Sequence, residues 1–191
     1  MKSHAAQFDA LSKVLANPPG PADSSPCDAA SPPSGKIAFG YGPALRRFVA
    51  NQQAPRGGME WELAYKVGSV PLAVDRKYSE DQFAEFVRVF TTGEYVAVVW
   101  PGRSYDAKVG SSTFETSFSS GSVSATVAIH KLSTGRAVCW KDIYSSNSSR
   151  IKHWGNQVQA VESDLAEQVR ADTIAAIKAM APALVVESPK H

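Results

Sequence analysis

Residues 59–74 constrain the fold more than any other stretch of the chain, because their alternation sets a strand register by itself. Met59, Trp61, Leu63, Tyr65 and Val67 alternate with Glu60, Glu62, Ala64 and Lys66, and a period of two places the five large groups on one face of a strand. Gly68-Ser69 then supplies a two-residue turn with glycine at its first central position, the pattern of a type II′ hairpin. The turn sets Val67 opposite Val70, Tyr65 opposite Leu72 and Leu63 opposite Val74. This reading predicts a β-hairpin whose return strand, carrying Pro71, is a sheet edge that discourages strand addition. The hairpin contains no recognisable chemistry.

The remaining elements follow from shorter signals. Residues 3–16 read as a helix with Phe8, Leu11 and Leu15 on one stripe, stopped by Asn17-Pro18-Pro19. Six prolines between 18 and 35, with little to bury, read as a stiff linker. Ile37, Phe39 and Tyr41 alternate as a strand, and Gly42-Pro43 opens a helix with proline at a favoured first position. Ser79 and Gln82 form a capping box ahead of a helix carrying Phe83, Phe86, Val87 and Phe90, which Gly93 ends. Residues 95–100 are apolar on both alternating faces, which suggests a central strand covered on both sides, stopped by Pro101-Gly102-Arg103. Residues 111–122 predict a strand with Phe114 and Phe118 on one face and a turn at Ser120-Gly121.

Residues 123–130 and 137–144 form a second predicted hairpin around Thr134-Gly135. A two-residue loop places His130 beside Cys139, and a three-residue loop places it beside Val138. Asn156 can cap a last helix of about 25 residues, long for a globular protein, with Val158, Val161, Leu165, Val169, Ala176 and Met180 on one stripe and Pro182 as its stop.

These elements predict an α+β fold in one domain: an antiparallel or mixed sheet of about five to seven strands, helices mainly on one face. The order also allows a ferredoxin-like core extended by a C-terminal β-hairpin and a long helix. The expected organisation is a helical arm (1–17), a Pro/Ser-rich linker (18–35), the globular domain (36–182) and a C-terminal tail (183–191). A length of 191 residues suits one domain with an ordinary core.

Charge and hydropathy exclude two classes of partner. Twenty basic against 18 acidic residues give +2 overall, with no block of like charge to hold nucleic acid. No apolar run approaches the roughly 18 residues of a transmembrane segment. The start of the chain shows no hydrophobic signal region, which fits a cytoplasmic protein or one whose signal has been removed. Cys27 and Cys139 are a candidate disulfide that would staple the Pro-rich segment to the sheet, pointing toward an oxidising compartment; the alternative is two unrelated cysteines, one of them buried.

Catalytic and cofactor constellations are absent from the pattern. Cys139, His130 and Asp142 could supply nucleophile, base and orienter, but Cys139 and Asp142 lie three apart on one strand and face opposite sides. His4, His130, His153 and His191 show no metal-ligand spacing. Gly40-Tyr41-Gly42 before a helix could hold an anion with Arg46 and Arg47 nearby, yet Pro43 removes an N–H, and a plain tight turn accounts for it better. No cofactor is therefore expected. Trp100, Arg103 and Tyr105, read as a loop leaving the central strand, are candidate recognition groups, as are His153 and Trp154 ahead of the last helix. Asn147-Ser148-Ser149 fits a glycosylation acceptor.

The resulting expectation is a non-catalytic binding or assembly module, envelope-associated in a bacterium as a periplasmic or lipid-anchored protein, its partner an unspecified protein or small ligand. The competing expectations are a hydrolase or thiol enzyme using Cys139 or His130, and a cytoplasmic small-ligand or protein-interaction domain. Oligomeric state and strand order are not encoded in the pattern.

Overall fold

A computed structural model describes residues 5–20, 24–50, 58–68, 80–105, 108–111, 116–149, 151 and 157–187. In chain order the elements are α1 (Ala5–Ala16), β1 (Ser24–Ser25), β2 (Gly35–Tyr41), α2 (Gly42–Val49), α3 (Gly58–Gly68), α4 (Glu80–Thr91), β3 (Tyr95–Tyr105), β4 (Lys108–Ser111), β5 (Thr116–Ser119), β6 (Ser122–Lys131), β7 (Ala137–Ser146), α5 (Gln157–Met180) and β8 (Leu184–Val186). The main sheet has the order β1-β7-β6-β3-β2-β8, and β4 with β5 forms a separate two-stranded ribbon. Strands β2 and β3 are parallel, as are β2 and β8, whereas β3, β6 and β7 form an antiparallel meander. This is the expected α+β domain on a mixed sheet.

The doubly apolar run of β3 explains its central place. Tyr95, Val96, Ala97, Val98 and Val99 are all buried, which requires cover on both faces. Ala38 and Gly40 of β2 lie on the face shared by Val96 and Val98, and a side chain at Gly40 would strike Leu45 of α2 and Phe90 of α4. Those helices, with α1 packed against them, cover that face. On the other face lies α5, whose Asp172 accepts a hydrogen bond from Ser145 Oγ, and α3 packs beside it. The expectation of helices mainly on one face gives way to helices on both, because only a two-sided cover removes every side chain from Tyr95 to Val99 from water.

The hairpin at residues 59–74 does not form. Its first half is α3, and its return strand lies outside the described residues. Read at helical spacing, Leu63, Ala64 and Val67 are buried while Tyr65 is exposed, and Glu60 and Lys66 reach Arg47 and Glu167 in ion pairs. Without that hairpin the ferredoxin-like core is lost as well, since one of its required strands is helix.

Three further expectations are corrected. Strand β3 does not stop at Pro101 but runs on to Tyr105, with a bulge between Pro101 and Ser104. Pro101 is tolerated because β2 ends opposite Val99, leaving that side of β3 without a described partner strand. In the β6–β7 hairpin His130 pairs with neither Cys139 nor Val138 but with Ala137. Its loop is longer than either alternative: Lys131 N–H bonds Arg136 O, and Gly135 takes φ of +72° within it, while Ile129 pairs with Cys139. Val158 of α5 is half exposed; the buried stripe is Val161, Leu165, Val169, Thr173 and Ile177, at spacings of four.

Beyond these, α1 buries Leu11, Val14 and Leu15 in the core, and its last turn is closed by Asn17 Nδ2 donating to Lys13 O. Residues Ser24 and Ser25 pair with Lys141 and Trp140. Leu184–Val186 adds a strand at the far edge beside β2. The expected caps Ser79 and Asn156, and Phe114, lie outside the described residues.

Candidate functional site at the open end of the sheet

Past Val99, β3 is flanked by β6 alone among the described strands, and this end of the sheet collects the exposed polar and aromatic side chains. Ser124 Oγ shapes it: the hydroxyl accepts from Arg103 N–H at 2.9 Å and donates to Arg103 O at 3.0 Å. Both backbone groups of the bulged residue are thus satisfied. Gly102 is required there, because a Cβ would lie 2.9 Å from Ser124 Oγ and 3.1 Å from Ser124 O.

The register places the side chains. Tyr105 stands opposite Ser122, and Tyr144 opposite Ser124, so both tyrosines share the face that carries Trp100 and Thr126. They flank β6 from its two sides, with Cα atoms about 12 Å apart by strand spacing and rise. Tyr105 is 64% and Tyr144 69% exposed. Between them Ser122 is buried and Ser124 is half-buried, forming a hydroxyl floor. Asp142 accepts from Thr126 Oγ1 at 2.5 Å one step along, and the exposed Arg103 borders the other side. This gives two aromatic walls, a guanidinium and a carboxylate.

Trp100 is half-buried and packed. Its ring lies under Arg46, whose guanidinium carbon is 4.9 Å from the ring centroid, and a Cβ at Gly42 would sit 3.1 Å from it. Its Nε1–H donates to His130 Nε2 at 3.4 Å. Trp100 is therefore held from several sides, while Arg103 and Tyr105 are free to the solvent side of the strand. His153 and Trp154 lie outside the described residues. Tyr144 was not singled out from the sequence, although strand parity along 137–144 could have marked it; Arg46 was named only as a neighbour of a possible anion site at Gly40-Tyr41-Gly42, and nothing local marks its seat on Trp100.

The thiol triad does not assemble. Cys139 is bonded to Cys27, with Cα atoms 4.7 Å apart, so it is no nucleophile while oxidised. His130 is buried on the opposite face of the sheet from Cys139 by the register, and Asp142 pairs opposite Thr126 rather than near His130. Tyr41 is pushed up to about 12 by burial, and then by Glu60 nearby, so it stays a neutral phenol. Gly40 and Gly42 are explained by the close approach of Leu45, Phe90 and Trp100, in line with a packed turn. Among the described residues no group of three metal-ligating side chains is found.

Asn147 is committed elsewhere. It is buried, its Nδ2 donates to Val161 O at 2.7 Å and to Asp164 Oδ2 at 3.1 Å, and its Oδ1 accepts from Gly121 N–H at 2.8 Å. A glycan on that nitrogen would break the joint between β7 and α5. Asp164 completes the joint by accepting from Ser148 N–H and Ser148 Oγ, each at 2.8 Å.

No helix among the described residues is long and apolar enough to cross a membrane. No family model matches the chain, and no curated protein matches it. Among solved structures, that of a hypothetical protein from Chlamydia trachomatis is similar at 13% identity, covering 78% of this chain and 98% of the other, with a TM-score of 0.36.

Proposed function

We propose that the protein is a non-catalytic binding or assembly module working outside the bacterial cytoplasm, and that it recognises its partner with the open end of β3, β6 and β7. The observation that carries the reading is the placement of Tyr105 and Tyr144: two large aromatics left 64% and 69% exposed on one sheet face, beside Arg103 and Asp142. Tyrosine in such a place offers a wide apolar contact with few rotors to order and a hydroxyl to bond. The hydroxyl floor beneath adds short polar contacts. The Cys27–Cys139 bond supports the compartment, since structural disulfides persist in oxidising surroundings.

The test is a cellular one. The triple variant Arg103→Ala/Tyr105→Ala/Tyr144→Ala changes only exposed side chains, so its melting temperature should match that of the wild type. Cells producing it at wild-type level should nonetheless show the phenotype of cells lacking the gene. Full function with all three side chains gone would overturn the proposal.

A further inference from the structure

The buried imidazole of His130 sits where three elements meet, and its contact with Trp100 depends on its protonation state. Nδ1 is 3.1 Å from Gly135 O, and Nε2 accepts the Trp100 indole N–H. Those partners assign the single ring proton to Nδ1. Trp100 in turn seats Arg46, whose Nη2 donates to Leu15 O, in the last turn of α1, at 3.1 Å. On the other side of the imidazole, Gly135 lies against α1 so closely that a Cβ there would come within 2.7 Å of Lys13 backbone and side chain. The imidazole therefore underlies two contacts at the C-terminal end of α1, the Gly135 loop and the Trp100–Arg46 pair, beside the core packing of Leu11, Val14 and Leu15.

We propose that His130 is a proton-controlled latch: the neutral ring locks the end of α1 onto the sheet, and protonation at Nε2 releases it. A proton taken from solvent onto Nε2 would turn the acceptor into a donor facing the Trp100 N–H, and two N–H groups cannot bond each other. Trp100 must then turn, which removes the ring beneath Arg46 and with it the support for the bond to Leu15 O.

The surroundings favour a latch that is closed at neutral pH. The charged groups on the elements around it are Lys13 of α1, Arg46 of α2, and Lys131 and Arg136 of the hairpin, all cationic. On the loop before β3, Glu94 is paired with Lys131, and Asp142 lies further along the sheet, bonded to Thr126. On α4, Glu85 and Arg88 pair with each other at the surface, and Asp9 of α1 is exposed. Burial holds the imidazole below its ordinary basicity, partly offset by the bond to Gly135. The sign follows: a released latch binds the proton more readily than a closed one, so lowering the pH through the ordinary histidine range favours release. This inference rests on the geometry around His130 and stands or falls separately from the binding face.

The experiment uses the full, oxidised chain, followed by NMR and amide hydrogen exchange from about pH 7.5 to about 4.5. Protection factors at the C-terminal end of α1, residues 11–16, should fall about tenfold per pH unit between the ordinary histidine pKa and the lowered one of His130. Amides of Val96 to Val99 should keep theirs, and the Trp100 indole N–H resonance should move with the same midpoint. His130→Gln, which does not titrate, should remove the pH dependence. If that variant fails to fold, Trp100→Phe serves instead: without the indole N–H, the neutral ring loses its partner and the midpoint should rise. Protection independent of pH in the wild type, an unchanged pH dependence in His130→Gln, or an unmoved midpoint in Trp100→Phe would each overturn the latch.

Discussion

Removing the Cys27–Cys139 bond should destabilise the fold by several kcal/mol, and the size can be worked from the chain. The bond joins residues separated by 112 positions. The chain-entropy relation gives about 4.8 kcal/mol at 25 °C for a loop of that length. Some of that constraint survives without the bond, because Ser24 and Ser25 still pair with β7 and α1 still buries Leu11 and Val14. An effect of about 3–4 kcal/mol is therefore expected, within the range seen for native disulfides. For a domain of this size it corresponds to a fall in melting temperature of about 6–16 °C. The variant to use is Cys27→Ala/Cys139→Ala, since Cys139 is fully buried and a serine hydroxyl there would add its own desolvation cost. Thermal and urea unfolding should give the same loss for the variant and for reduced wild type. Denatured, non-reduced protein should show no titratable thiol and gain two on reduction. A shift smaller than about 2 °C would refute the claim that the bond constrains the unfolded chain; two free thiols before reduction would refute the bond itself.

Two substitutions probe the local architecture. Gly135→Ala should cost about 1–3 kcal/mol and expose α1 to proteolysis, because the residue takes φ of +72° and its Cβ would meet Lys13; a neutral outcome in chemical denaturation would contradict that packing. Asn147→Ala should cost about 2–4 kcal/mol, since it leaves Gly121 N–H and Val161 O without their buried partner. Expression in a glycosylating host should leave Asn147 unmodified in folded protein, and mass spectrometry showing a glycan there would contradict its burial.

Much of this fold was legible in the chain, and the failures share a physical cause. The doubly apolar run beginning at Tyr95 correctly announced a strand covered on both sides, and Gly42-Pro43 correctly marked the start of α2. Residues 59–67 misled because they are so rich in apolar groups that a period of two and a helical period both fit. Leu63 and Val67 lie on one face under either reading, and the helix is distinguished by the partners of Glu60 and Lys66, Arg47 and Glu167, which are distant in sequence. Pro101 looked like a stop because a proline in a central strand is costly, and only the end of β2 opposite Val99 makes it tolerable. That fact belongs to the tertiary structure. The same holds at the open end of the sheet: Arg103 and Tyr105 were visible as exposed recognition types, but their union with Tyr144 depends on the β3–β6–β7 register. Strand β8 is too short for periodicity to reveal.

The most direct measurement of the proposed binding face is site-specific photo-crosslinking in producing cells. A photoreactive residue at position 105 or 144 should give a discrete adduct that is absent when the same residue replaces the exposed Lys178 at the far end of α5. The adduct at 144 should also disappear when Arg103 and Tyr105 are both changed to alanine, because the three side chains form one surface. Adducts of equal strength at 178, or none at 105 and 144, would contradict it.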